Sequence, residues 1–481
     1  MKVLHISAEC YPAAKAGGLG DVAGALPKYL NQIDISTAVV IPKYQTKWLN
    51  QQEYREVYRD TARLHNGEVP FVVEEVTSAD LGFQLFVVNM PGKFDRTGIY
   101  NDDSGKGYGD SLERAISFQN AVLLWVRQFQ YKPKVLHCHD HHTGLIPFMV
   151  KYCPEYESLA NIPTVFTIHN GAYHGAFSWE NQHLLPFYYA SARGLLDWGN
   201  TINPLASGIR NSWAVTTVSP SYMDELRRDS NGLETLVQSE SHKSVGIING
   251  IDPTVWNPST DKFIAQRLAG DDVAGFKKAN KEVLLQRFRI NPDLPLITFI
   301  GRLAREKGAD LLPDMIRKFL HYGHKAAFVI LGTGDQALHQ EFEHMRHHLH
   351  GHFDAALTYD EGLAHQLYAG SDFLIMPSRV EPCGLNQMYC MSYGTVPIVR
   401  SIGGLIDTVP DIGEPDGSGR GIRFDNFNLD DAFTACYRAT EVYRNKTYLE
   451  DLRKRIMQVD FSWTRSAQTY ADVYRHFVPN L

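Results

Sequence analysis

The 481-residue sequence is short of four things, and each shortage closes off a class of protein. Cysteine is scarce: Cys10, Cys138, Cys153, Cys383, Cys390 and Cys436 include no C-x-x-C pair. In a chain this long, that argues against a disulfide framework or zinc ribbon and fits a reducing compartment. Long apolar runs are missing too. Nothing approaches the roughly 20 residues that span a bilayer, and the opening MKVLHISAEC is too short in its apolar run for a signal peptide. The expectation is a cytoplasmic chain with no membrane partner. Positive charge is not in excess: 47 Lys and Arg face 54 Asp and Glu, for a net charge of −7. That argues against a nucleic-acid partner, although a local basic pocket for a phosphorylated substrate remains allowed. Finally, no Asp-x-Asp pair occurs with which to hold a divalent cation through oxygen ligands. Any diphosphate would then be neutralised by side-chain cations.

What is present is a soluble composition, 44% hydrophobic and 21% charged, with enough apolar residues for a large core. Short β-branched runs recur, each followed by a helical pattern. Val3–Ser7, Ser36–Ile41, Leu85–Val88, Val135–Cys138, Thr164–Ile168 and Ala214–Val218 are strand candidates in the first half. Leu296–Ile300, Ala326–Leu331, Phe373–Met376 and Val396–Val399 are candidates in the second. Continuous apolar strands alternating with helices indicate parallel sheets covered on both faces, the α/β class. The halves also echo each other, Gly17–Val22 resembling Gly403–Val409. The expectation is two Rossmann-like, doubly wound domains facing across a cleft: residues 1–245, residues 246–455, and a helix within 456–481 that returns to the first domain.

The segment Lys15-Ala16-Gly17-Gly18-Leu19-Gly20-Asp21-Val22 follows the first strand and opens a helical pattern. Glycines there let a diphosphate approach the backbone, where amides and the helix dipole favour an anion and Lys15 adds charge. A plain tight turn explains the same glycines. Gly301-Arg302-Leu303, with Lys307-Gly308 shortly after, closes the strand at Ile300, and ligands of open α/β sheets bind beyond such strand ends. A pair of solvated cations is the alternative. Gly332-Thr333-Gly334-Asp335 reads as a structural turn.

Pro377–Gln387 follows the strand Phe373–Met376 and carries Glu381, which can accept hydrogen bonds from sugar hydroxyls; amides near Gly384, Leu385 and Asn386 can meet a phosphate. An exposed turn acid is the commoner fate of glutamate. Cys383 has no histidine near it in sequence and reads as packing rather than a nucleophile. His137, His139, His141 and His142 cluster around Asp140, with His169 further on. If the strand continued, alternation would put His137, His139 and His141 on one side, as a metal site or as hydrogen-bonding groups for hydroxyls. The cluster from His344 to His352 lacks an H-E-x-x-H pattern and reads as a solvated helix end.

In order and over nearly the whole chain, these segments resemble the bacterial glycogen synthase and plant starch synthase family. Lys15–Val22 is similar to that family's K-T-G-G-L-G-D-V, with Ala16 for Thr. Phe94–Tyr100, His137–Pro147, Thr167–Asn170, Thr217–Pro220, Asn249–Asp252, Gly301–Gly308, Glu381–Gln387 and Gly403–Val409 resemble further family segments. The resemblance implies a GT-B fold and metal-free, cofactor-free transfer of glucose, with retention, from a nucleotide-diphosphate glucose to an α-1,4-glucan or maltooligosaccharide. The sequence does not decide between ADP-glucose and UDP-glucose, and the resemblance alone leans to ADP-glucose. It also implies that Lys15, Arg302 and Lys307 hold the donor diphosphate, with amides near Leu385, and that Gly17, Gly18, Asp21, Cys383, Gly384 and Asn386 belong to the donor site. Glu381 would bind the donor glucose and help catalysis. His169 and Asn170 would contact the sugar, Asn249 would belong to the donor site, and Tyr359 would stack on the base. Asp140 and Tyr100 would lie on the acceptor side.

No second carboxylate is evident as a covalent nucleophile, so a front-face displacement fits best. The sequence departs from the family pattern at His141, where Trp is usual, at Ala206, where Lys is usual, and at Glu306, where Gln is common. Tyr389 stands where more distant relatives carry glutamate. A non-catalytic glucan-binding relative and a GT-B transferase with a non-glucan acceptor stay open as alternatives.

Overall fold

A computed structural model describes residues 2–64, 67–102 and 104–481. The chain divides into two compact units, one of residues 1–249 with 463–481 and one of residues 250–462. The boundaries fall at Asn249 and Ser462, a few residues beyond 245 and 455.

In the first unit the strands are β1 (Val3–Ile6), β2 (Thr37–Pro42), β3 (Tyr54–Leu64), β4 (Gly67–Val76), β5 (Gln84–Asn89), β6 (Val135–His139), β7 (Thr164–Ile168), β8 (Asp197–Trp198), β9 (Thr201–Ile202), β10 (Ala214–Thr217) and β11 (Ser244–Gly246). Nine of them form one sheet in the order β11-β10-β7-β6-β1-β2-β5-β4-β3, and β8 pairs separately with β9. The central strands β1, β2, β6, β7 and β10 are buried at every position, as strands covered on both faces require. The antiparallel pair β3–β4 extends one edge, with charged residues such as Arg55, Glu56, Arg59 and Glu75 along it.

The final helix, Trp463–Phe477, belongs to the first unit. It buries Trp463, Ala467, Tyr470, Ala471 and Tyr474, a spacing that aligns one helical face. That face packs with Val22, Leu26, Tyr29 and Leu30 of the helix Gly18–Asn31. The helix carrying the glycine loop is thereby braced from behind.

The second unit holds β12 (Leu296–Ile300), β13 (Ala327–Leu331), β14 (Phe353–Ala356), β15 (Phe373–Met376), β16 (Val396–Arg400) and β17 (Ile422–Phe424). All pair in parallel, in the order β14-β13-β12-β15-β16-β17. Apolar residues of these strands and the flanking helices, among them Phe299, Phe328, Ile375, Met391 and Ile398, build its core. No helix among the described residues is long and apolar enough to cross a membrane.

Candidate active site

In the second unit the carboxyl ends of β12, β15 and β16 lie side by side and present three loops. Lys307 stands on the first. Its Nζ lies 2.7 and 2.8 Å from the two carboxylate oxygens of Glu381 on the second loop. Ser378 Oγ donates to the same carboxylate at 2.9 Å. Glu381 is nearly buried, with 7% of its side chain exposed, whereas Lys307 keeps 29%. A carboxylate this enclosed needs such partners.

The third loop explains why Gly403 and Gly404 echo the first-half motif without repeating its setting. Gly403 has φ +46°, and a Cβ there would lie 2.0 Å from the carbonyl oxygen of Glu381. Gly404 donates its N–H to that oxygen at 3.2 Å. Only glycine lets this turn close on the Glu381 backbone. The Glu381 loop is pinned elsewhere as well. Arg379 makes a two-pronged pair with Asp310 at 2.6 and 2.8 Å and stacks on Phe427. Arg400 donates to the carbonyls of Ser378 and Arg379.

The remaining candidates of this unit are less uniformly placed. Arg302 is exposed and pairs with Glu306. Asn386 donates its side-chain N–H to Ile300 O at 2.6 Å, joining the segment after Glu381 to β12. Cys383 is buried, and Gly384 has φ +73° in the turn before Leu385. Tyr359 is 80% exposed, in the loop between β14 and the helix Glu361–Gly370. His344, His347, His348 and His350 are exposed around the end of the helix Gln336–His348.

In the first unit the glycine loop holds an unexpected group. Glu9 is buried, and its Oε2 accepts the N–H of Ala16 at 2.6 Å and of Gly17 at 2.9 Å. Its Oε1 accepts the hydroxyl of Tyr100 at 2.6 Å. Two loop amides expected to face a phosphate are therefore engaged by an internal carboxylate. Lys15 pairs with Asp21 at 2.7 Å, both partly exposed. Gly17 and Gly18 are exposed, with nothing within 4 Å of where a Cβ would sit. Nothing in the sequence pattern flagged Glu9. Its position just before a glycine loop, amid buried residues, was the available signal.

Asp140 has φ +56°, a costly conformation for a residue with a side chain. Its Oδ1 accepts the N–H of His169 at 2.7 Å and, more weakly, that of Asn170 at 3.4 Å. Burial raises its carboxyl to about 7 despite those bonds. Tyr100 stacks on His142, with ring centres 4.8 Å apart, and the His142 ring lies tilted against that of His141, with centres 3.8 Å apart. Burial, then the nearby Glu9, raises the Tyr100 hydroxyl well above its ordinary range. Asn249, where the first stretch of this unit ends, is buried with Oδ1 unpartnered.

The histidine cluster differs from the sequence pattern. The strand stops at His139, and a short turn from His141 to Thr143 sends His141 away from His137 and His139. His5 of β1 joins them instead, and ligand atoms of His5, His137 and His139 lie within 4.8 Å of one another. Hydrogen bonds already engage both nitrogens of His137, with Tyr474 and Thr167, and both of His139, with His5 and His169. A metal would have to displace them.

Comparison with known proteins bears on this arrangement. Residues 2–239 match the family described as starch synthase catalytic domain, and residues 280–426 match glycosyl transferases group 1. A glycogen synthase of Flavobacterium johnsoniae is 43% identical over 475 residues, 98% of each chain. One from Streptococcus gordonii is 36% identical over 99% of each chain. The solved catalytic domain of starch synthase IV from Arabidopsis thaliana, bound to ADP and acarbose, superposes with a TM-score of 0.88 at 31% identity. That match covers 100% of this chain and 99% of the other.

Proposed function

Since the chain belongs to the glycogen synthase and starch synthase family of GT-B hexosyltransferases, we propose that it transfers glucose from ADP-glucose to the non-reducing end of an α-1,4-glucan with retention of configuration. The observation that carries the reading is the Glu381 carboxylate, nearly buried at the ends of parallel strands and gripped by Lys307 and Ser378.

Within the second unit, Lys307 and Arg302 neutralise the donor diphosphate. The diphosphate competes with Glu381 for the Lys307 ammonium and with Glu306 for the Arg302 guanidinium. The Glu381 oxygens then accept glucose hydroxyls, amides around Gly384, Leu385 and Asn386, after Cys383, receive phosphate oxygen, and the exposed Tyr359 ring stacks on the base. Within the first unit, Lys15 gives charge to the diphosphate from a loop held by Glu9, with Gly17 and Gly18 allowing close approach and Asp21 orienting Lys15. Asn249 also serves the donor. His169 and Asn170, oriented by Asp140, contact the sugar, and Asp140 and Tyr100 serve the acceptor side.

The chemistry is a front-face displacement. The bond from C1 to the leaving phosphate oxygen breaks while the acceptor O4 bonds to C1 on the same face, and the acceptor proton passes to the leaving phosphate. Positive charge develops on the sugar and negative charge on the phosphate, where fixed cations lower the barrier. Loss of one such contact costs roughly 3 kcal/mol, about a hundredfold in rate.

The test is incorporation of labelled glucose into glycogen and maltooligosaccharides, with ADP-glucose and UDP-glucose side by side. Incorporation from ADP-glucose at the higher kcat/KM is expected. Folded protein with no incorporation from either donor would overturn the proposal.

A further inference from the structure

The buried histidines form a chain that ends at His169. His5 on β1 is in register with His137 on β6, and His139 with Thr167 near the end of β7. His5 Nδ1 lies 3.1 Å from His139 Nε2, and His139 Nδ1 lies 2.9 Å from His169 Nε2. Both are hydrogen-bond distances. His139 thus bridges the other two rings with both its nitrogens.

A neutral imidazole carries one N–H and one lone pair. Burial holds His5 and His169 down to about 3 and His139 well below its ordinary value, so all three are neutral near pH 7. Three rings bring three protons, and the two contacts use one each. The third proton must sit at one end, on His5 Nε2 or on His169 Nδ1. His5 Nε2 is fully buried and has no hydrogen-bond partner. A donor stranded there would make no bond at all. The other end, His169, keeps 8% of its surface exposed and can give its N–H to water or to a sugar oxygen.

We propose that His5 and His139 are positioning residues that fix His169 in the tautomer with its proton on Nδ1, so that His169 meets the substrate as a hydrogen-bond donor. His5 Nδ1–H donates to His139 Nε2, and His139 Nδ1–H donates to His169 Nε2. The effect on turnover rests on the placement of His169 at the sugar proposed above; the tautomer rests on the column alone.

The experiment is long-range proton–nitrogen correlation NMR on the full chain carrying 15N-histidine, with His169 assigned from the spectrum of His169→Gln. Expected is a protonated Nδ1 and a lone-pair Nε2 on His169. His5→Asn, whose side-chain N–H can replace the lost donor, should keep that pattern; His5→Leu should mix the tautomers. In parallel, kcat should fall about tenfold in His5→Leu, the worth of roughly one hydrogen bond, with the donor KM changed less than about twofold and most of the rate restored in His5→Asn. A wild-type His169 protonated on Nε2 would overturn the proposal, even if His5→Leu did not fold. So would unchanged His169 shifts in a folded His5→Leu. Shifts as expected with kcat unaltered in both variants would uphold the chain and remove His169 from the reacting sugar.

Discussion

Replacing Glu9 with Gln isolates what the internal carboxylate does for the Lys15 loop. The side chain keeps its shape but loses its charge and one acceptor. Three hydrogen bonds, from Ala16, Gly17 and Tyr100, now end on an ionised group. Such bonds are worth about 1.5–3 kcal/mol each, against about 0.5–1.5 for neutral ones. Each contact therefore weakens by about 1 kcal/mol, and Tyr100 must turn its hydroxyl to accept from the new amide. A neutral side chain is easier to bury than a charged one, which offsets part of the loss. The net is about 2 kcal/mol, concentrated in the loop. Amide hydrogen exchange at Ala16 and Gly17 should accelerate roughly 30-fold, with core amides of β1 and β6 changing far less. Donor KM should rise severalfold, because Lys15 rides on the same loop. Unchanged exchange at both amides in a folded Glu9→Gln protein would refute the idea that Glu9 holds the loop.

Other expectations follow from the same geometry. Arg302→Ala removes only an exposed ion pair with Glu306, so urea unfolding should shift by no more than about 0.5 kcal/mol while donor kcat/KM falls about a hundredfold; a large stability change with normal kinetics would reverse that assignment. Asp140 has a folded value of about 7, above its unfolded range near 4. A raised carboxyl binds protons more tightly when folded, so its contribution is most favourable below about pH 4 and is lost as pH rises toward about 7. Asp140→Asn keeps an acceptor for the His169 amide and removes that slope. Its urea midpoint should therefore gain on wild type between pH 5 and pH 8, and parallel curves would count against the shift.

Much of the fold was legible because the buried strands announce themselves. Thr164–Ile168, Leu296–Ile300 and Phe373–Met376 have the bounds that their apolar runs imply, and the other central strands differ by a residue or two. The β3–β4 hairpin gave no such signal, because an edge pair with charges such as Arg55, Glu56 and Arg59 breaks the apolar pattern. Strands β14 and β17 each carry a charge inside the run, Asp354 after Phe353 and Arg423 between Ile422 and Phe424, which breaks the apolar pattern. The Glu381 loop was visible as a motif, yet its attachment to Gly403 is a tertiary contact between the ends of β15 and β16. His5 was missed for a similar reason. It is alone in sequence, and parallel pairing with β6 is what brings it beside His137. A local cluster such as His141 and His142 drew attention although the chain turns it elsewhere.

The central claim is that Glu381, held by Lys307 and Ser378, grips the donor sugar during transfer. Glucose incorporation by folded Glu381→Gln, measured beside wild type at saturating ADP-glucose and maltooligosaccharide, tests it most directly. The account predicts a loss of about a hundredfold or more in kcat with ADP binding largely kept. Wild-type turnover in that variant would contradict it.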